Sequence, residues 1–160
     1  MKKYYLSFSA TFLLVFTSCS STTSLNHFEK DPKSANAIQY TKKADLIYNK
    51  DINSMIFATY LNNIKDEFKS NELNSFLIGT HLVNKDNHDF IKNNYSITLN
   101  NKKATNIKKI NQKSDLVSII PLRNSWANYY LLQFENDKSQ DMNILFTHPT
   151  FGKTQINFQK

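Results

Sequence analysis

The feature that most constrains this chain is a succession of short runs of strand-forming residues with turn residues between them. Such runs occupy residues 38–40, 44–48, 54–61, 76–83, 95–99, 105–110, 116–122, 126–134, 143–147 and 154–158. They are rich in Ile, Phe, Tyr and Thr, whose branched or aromatic side chains suit a pleated, half-buried surface. Some alternate cleanly: Tyr95, Ile97 and Leu99 are apolar, and Ser96 and Thr98 between them are polar. That is the period of a strand with one face in a core. Phe76, Ile78, Thr80 and Leu82 fall on one face in the same way. Short runs with frequent turns and no alternation with helices predict an all-β sandwich or barrel.

The turns agree with this. The chain has only two glycines, so asparagine must supply most of the backbone positions with positive φ. Asn100-Asn101 predicts a tight hairpin, residues 149–152 predict a loop between the last two strands, and residues 136–141 are a polar connector. Residues 62–73, with Ile64 and Phe68 four apart, are short for an independent helix and predict a long connection with a helical turn.

The first residues carry a different pattern. Lys2 and Lys3 precede an uncharged, mostly apolar run from Tyr4 to Phe16, then Thr17-Ser18 and the only cysteine, Cys19. That order predicts an export signal, since the apolar part falls short of the roughly 20 residues needed to span a bilayer. Phe16-Thr17-Ser18-Cys19 resembles the processing box of bacterial lipoproteins, with Phe16 where that family prefers leucine. The resemblance implies a diacylglycerol thioether on Cys19, cleavage just before it, and acylation of the new amino group. A thiolate is the natural nucleophile for such a bond, and two or more acyl chains make the anchoring stable. Ser20 and Ser21 after the cysteine point to the outer membrane, because an aspartate there favours inner-membrane retention in that family.

The domain plan is then a signal peptide over residues 1–18, a lipidated flexible tether over 19–37, and one folded domain over 38–160. The tether is rich in Ser, Thr, Asn and Lys and would reach roughly 20–25 Å as a flexible chain. The domain is large enough to bury roughly two thirds of its unfolded surface. With Cys19 lipidated it has no disulfide and stands on packing alone.

Composition excludes some functions. The formal charge falls from +7 to +5 once residues 1–18, with Lys2 and Lys3 and no acid, are removed. The positive charge is almost all lysine, with Arg123 the single arginine. The joint abundance of Lys, Asn, Ile, Phe and Tyr fits AT-rich coding, so much of that charge reads as a solvated surface. Nucleic-acid binding is not expected, because arginine is the best planar reader of phosphates and bases. His27, His81, His88 and His148 show no HxH or HExxH spacing, so no metal site is expected. Asp86 and Asp89 lack the glycine and terminal glutamate of an EF-hand loop. There is no GxSxG and no glycine-rich phosphate loop. No catalytic residue and no cofactor is assigned, and the chain reads as a non-enzyme.

Two features remain as candidates for partner contact. Trp126, Tyr129 and Tyr130 form the densest aromatic cluster. The strand period groups Trp126 with Tyr130, Leu132 and Phe134 toward the core and sends Tyr129 with Leu131 to the other side. Tyr129 is therefore the aromatic residue expected to meet a partner. Lys102, Lys103, Lys108 and Lys109, with Lys113, mark a basic hairpin. Lysine on an edge strand discourages intermolecular pairing and is also suited to an anionic polymer.

The run Ser125-Trp126-Ala127-Asn128-Tyr129-Tyr130-Leu131-Leu132-Gln133-Phe134, the run Leu145-Phe146-Thr147-His148-Pro149 and the run Met55-Ile56-Phe57-Ala58-Thr59-Tyr60-Leu61-Asn62 resemble small outer-membrane lipoproteins with an immunoglobulin-like sandwich. The resemblance implies such a sandwich of about 7–9 antiparallel strands, an outer-membrane location and no catalytic site. The expected function is a lipid-anchored envelope protein that engages an envelope or host protein, or a glycan, in adhesion or envelope assembly. The alternative is a carrier of small apolar ligands, which needs an apolar cavity of a few hundred Å³.

Overall fold

The alternating runs pair into two antiparallel sheets. The computed structural model describes residues 32–160. Its elements are helix α1 (Pro32–Gln39), strands β1 (Thr41–Tyr48) and β2 (Asp51–Tyr60), a 3-10 turn (Asp66–Phe68), β3 (Leu73–Leu82), β4 (Ser96–Leu99), β5 (Lys102–Lys103), β6 (Asn106–Ile110), helix α2 (Asp115–Ser118), β7 (Asn128–Glu135), β8 (Asp141–His148) and β9 (Gly152–Gln159). One sheet has the order β1-β2-β3-β7-β6 and the other β5-β4-β8-β9. The molecule is an all-β sandwich. An immunoglobulin constant domain pairs its first, second, fifth and fourth strands in one sheet, whereas here the first three strands are successive neighbours.

Asparagine carries the turns as expected. Asn100 and Asn101 both have positive φ (47° and 66°) between β4 and β5, the conformation that a two-residue hairpin matching strand twist requires. Asn49 and Lys50 do the same between β1 and β2 (51° and 71°). Pro149 to Phe151 turn β8 into β9, with His148 opposite Gly152. Residues 62–72 form the long connection with one 3-10 turn.

Between the sheets lies the main core. Phe76, Ile78 and Leu82 of β3 and Tyr130, Leu132 and Phe134 of β7 face Ile97 and Leu99 of β4, Met142, Ile144 and Phe146 of β8, and Ile156 and Phe158 of β9. Aromatic rings bridge the sheets: Phe76 lies 5.4 Å from Phe158, centroid to centroid. Lys42 of β1 closes one open side by donating to the Asn157 carbonyl of β9 at 2.6 Å.

A second core covers the other face of the five-stranded sheet. Leu61, Leu77 and Tyr129 pack there against Val117, Ile119, Ile120 and Ala127 of the β6–β7 connection. The central strand β3 is thereby buried on both faces, and across it runs the row Phe57, Gly79, Tyr129, Ile110. A Cβ placed on Gly79 would stand 2.8 Å from Cε1 of Tyr129. The ring is held by hydrogen bonds and cannot swing aside. Gly79→Ala is expected to lower stability by about 1–3 kcal/mol, the usual cost of overpacking, as read by chemical denaturation. An unchanged denaturation midpoint would show that the ring yields.

Three expectations are corrected. Residues 116–122 are α2 and a turn rather than a strand, because Ser114 caps the helix through Val117 N–H and the apolar residues bury by capping the second core. Ile38 and Gln39 end α1 and Tyr40 turns the chain into β1, rather than the three forming a strand. The folded unit reaches back to Pro32, inside the stretch read as tether. Pro32 stands at the first helical position, where its missing N–H costs nothing. Ala37 is fully buried, and its carbonyl accepts from Thr41 Oγ1 at 2.8 Å. Cys19, the expected signal peptide and the part of the expected tether before Pro32 lie outside the described residues.

Candidate functional site

The register gives the sandwich two unlike ends. At one end lie the start of β1, the turn after β4, the β7–β8 connector and the C-terminus; α1 leads into the sandwich here. At the other lie the β1–β2 turn, the β3–β4 loop (residues 83–95), the β8–β9 turn and the start of β7. Eight large apolar residues are exposed among the described residues. Five of them, Ile47, Tyr48, Ile52, Ile91 and Trp126, stand at this second end, and a sixth, Leu122, shares the connection of Trp126. Single exposed apolar residues are ordinary; here most of the exposed ones share one end of the sandwich.

Trp126 is 70% exposed, which overturns its expected place in the core. It precedes β7, which starts at Asn128, so the strand period never applies to it. A built loop holds it outward. The Tyr129 hydroxyl accepts from Asn124 N–H at 2.7 Å and donates to the Asn124 carbonyl at 3.0 Å. Asn124 Oδ1 in turn accepts from Trp126 N–H at 2.8 Å. Gln112 Nε2 donates to the carbonyls of Ser125 and Ala127 at 3.0 and 2.6 Å.

Tyr129 is only 1% exposed, so it is no partner contact. It does face away from Tyr130, as the period required, but that face is itself covered. Its role is to hold the loop that presents Trp126. Burial pushes its hydroxyl above the usual tyrosine range, against the opposing effects of the Asn124 backbone and the Arg123 charge.

Lys102 and Lys103 are exposed on β5, and Lys108 and Lys109 are exposed on β6. These strands edge the two sheets, so all four lysines lie along one side of the sandwich. Lys102 and Lys103 pair with the last residues of β4, at the end where α1 enters. Lys108 and Lys109 lie opposite Leu131 and Tyr130, nearer the end that carries Trp126. The lysines do not gather into one site with Tyr129.

The histidines serve the loops. His81 and His88 bring their rings to 4.6 Å, and His88 Nδ1 lies 3.0 Å from the Leu82 carbonyl. Among the described residues no group of three or more His, Cys, Asp or Glu side chains is placed to hold a metal. Asp89 Oδ1 accepts from Ile91 N–H at 3.0 Å and Lys92 N–H at 3.2 Å, ordering the β3–β4 loop.

His148 joins Tyr95, Phe146 and Phe151 in an aromatic stack under the β8–β9 turn. Its Nδ1 accepts from Thr150 and Phe151 N–H at 3.0 and 3.2 Å, which only an unprotonated Nδ1 can do. Desolvation lowers its pKa below 6.5, with Lys85 adding to the effect and the Asn93 backbone opposing it. The folded state thus favours the neutral ring. Its contribution to stability is complete above 6.5 and is lost as pH falls through that value toward the lower folded pKa. Thermal unfolding between about pH 7 and pH 5 is expected to show a steeper pH dependence in the wild type than in His148→Gln. Equal slopes would remove His148 as the cause.

Three open grooves stand out among the described residues. One of about 500 Å³ lies at the β1–β9 seam, lined by Lys42, Met142, Asn143, Asn157 and neighbours. Its polar groups are engaged with one another: Lys42 with the Asn157 carbonyl, and Asn143 Nδ2 with Asn157 Oδ1 at 2.6 Å. A shallow groove of about 220 Å³ follows Ile64 to Glu67. The third, about 230 Å³, is lined by Gln112, Lys113, Arg123, Asn124, Ser125 and Tyr129, and Trp126 follows Ser125 in the chain. No protein family, curated protein or solved structure matches this chain.

Proposed function

We propose that this protein is a lipid-anchored recognition module of the bacterial envelope. Cys19 would carry acyl chains and hold it to the outer membrane, and the loop end bearing Trp126 would engage an envelope or host protein or a glycan. The observation that carries this reading is the gathering of exposed apolar side chains at the end opposite the one where α1 enters. A domain held at one end offers its other end to a partner. Trp is among the residues most enriched where binding energy concentrates. Among the described residues no helix is long and apolar enough to cross a membrane, so attachment in this reading falls to the lipid.

The apolar-carrier reading has less support. The space between the sheets is filled by Phe76, Phe134, Phe146, Phe158 and their aliphatic neighbours, and the described grooves are open and partly polar.

The test has two parts. Mass spectrometry of the protein from bacterial membranes is expected to find a diacylglycerol thioether on Cys19 at a new N-terminus; a bare thiol overturns the anchor. Capture of partners from envelope extracts and host-cell surfaces is expected to be lost in the Ile47→Asp, Ile52→Asp double variant and in Trp126→Ala. It should be kept in the Lys102→Gln, Lys103→Gln double variant. Equal capture by all of them overturns the assignment of the binding end. Trp126→Ala removes an exposed side chain and is expected to change stability by no more than about 0.5 kcal/mol.

A further inference from the structure

The groove lined by Arg123 and Lys113 differs from the other two in its chemistry. Both of its charged lining residues, Lys113 and Arg123, are cations, and no carboxylate lines it. Neither takes part in the ion pairs seen among the described residues, which join Lys43 to Asp45, Lys65 to Glu67 and Lys69 to Asp66. Arg123 is the only arginine in a chain whose other fixed cations are all lysine. Its planar fork matches a carboxylate in a way that an ammonium does not.

The walls are built rather than loose. The Gln112 carboxamide nitrogen and the Tyr129 hydroxyl are spent on backbone groups of residues 124–127. Among the described residues the Ser125 hydroxyl and the Asn124 carboxamide nitrogen have no partner in the fold, and they remain for a ligand. The groove holds about 230 Å³, nearly eight water volumes at ~30 Å³ each. That suits one six-membered ring and not a folded chain. The residue after the groove's Ser125 is Trp126, 70% exposed, whose indole is a surface on which the C–H face of a sugar can stack.

We infer that this groove binds a sugar ring carrying a carboxylate, with Arg123 and Lys113 on the carboxylate, Asn124 and Ser125 on ring hydroxyls, and Trp126 against the ring face. The inference deepens the recognition reading above and rests on it. A uronic-acid polymer is the class of partner that presents such rings. An acidic peptide offers the charge without a hydroxylated ring, and a neutral glycan offers the ring without the charge.

The experiment uses the full-length protein in detergent, with trigalacturonic acid as the probe. Trp126 is the only tryptophan in the chain, so its fluorescence reports this site. Trigalacturonic acid is expected to shift that emission saturably. Neutral galactotriose and tetraglutamate should each bind at least about tenfold more weakly, and Arg123→Gln should lose about tenfold with an unchanged melting temperature. Calorimetry should find binding kept in Trp126→Phe, which retains a flat face, and lost in Trp126→Ala. Equal binding of galactotriose or of tetraglutamate, unchanged affinity in Arg123→Gln, or no saturable emission change would each overturn the inference. If it fails while Ile47→Asp, Ile52→Asp still abolishes partner capture, the sugar site falls and the recognition reading stands. If capture survives both that double variant and Trp126→Ala, the assignment of the binding end falls as well.

Discussion

Phe76→Ala is expected to destabilise the protein by about 3–5 kcal/mol, the cost of truncating a fully buried aromatic residue. Phe76 has no exposed surface. Its ring lies 5.0 Å from Tyr60 and 6.1 Å from Phe134 on neighbouring strands, and 5.4 Å from Phe158 on the facing sheet. It therefore belongs to both halves of the sandwich at once. A β3 buried on both faces has little freedom to collapse into the space left behind, which places the loss toward the upper part of that range. Chemical denaturation at constant slope checks it. A loss below about 1 kcal/mol would mean that the sheets repack around the truncation.

Tyr129→Ala is expected to cost a similar amount, about 3–5 kcal/mol, and to do something Phe76→Ala does not. Its ring fills the space over Gly79, and its hydroxyl holds both backbone groups of Asn124. Removing the ring opens the second core and frees the loop that presents Trp126. Tyr129→Phe separates the two roles: the ring stays and the hydroxyl goes, at about 1–3 kcal/mol for the polar groups left without their partner. Hydrogen exchange is expected to show faster exchange of the Asn124 amide in the phenylalanine variant with β3 still protected. An Asn124 amide as slow as in the wild type would show that the ring alone orders the loop.

Much of the fold was legible in the residues because its signals are local. Alternation at Tyr95, Ile97 and Leu99 gave their inward face correctly, and all three are buried. Asn100-Asn101 gave its hairpin because only a few residue types accept positive φ. The 62–72 connection was legible for the opposite reason, since nothing in it sustains a periodic apolar face. The candidate site was less legible. Tyr129 and Trp126 exchange the roles expected of them: the tyrosine is buried and the tryptophan exposed. A period of two tells which residues share a face. It does not tell whether a second layer covers that face, or where a strand begins. A visible signal did exist in Val117, Ile119 and Ile120, an apolar group that the sheets did not need. Asn124 two residues before Trp126 was another, because it caps a turn through its own side chain.

What the sequence by itself determined was most of the strands, the hairpins and the all-β class, because each depends on contacts between near neighbours along the chain. The tertiary structure alone decided that β3 is buried twice, that residues 116–122 form a lid over the outer face, that α1 joins the folded unit, and that exposed apolar residues collect at one end. Each of these depends on groups far apart in the chain arriving at the same place, and burial is settled only when the last covering segment is laid down.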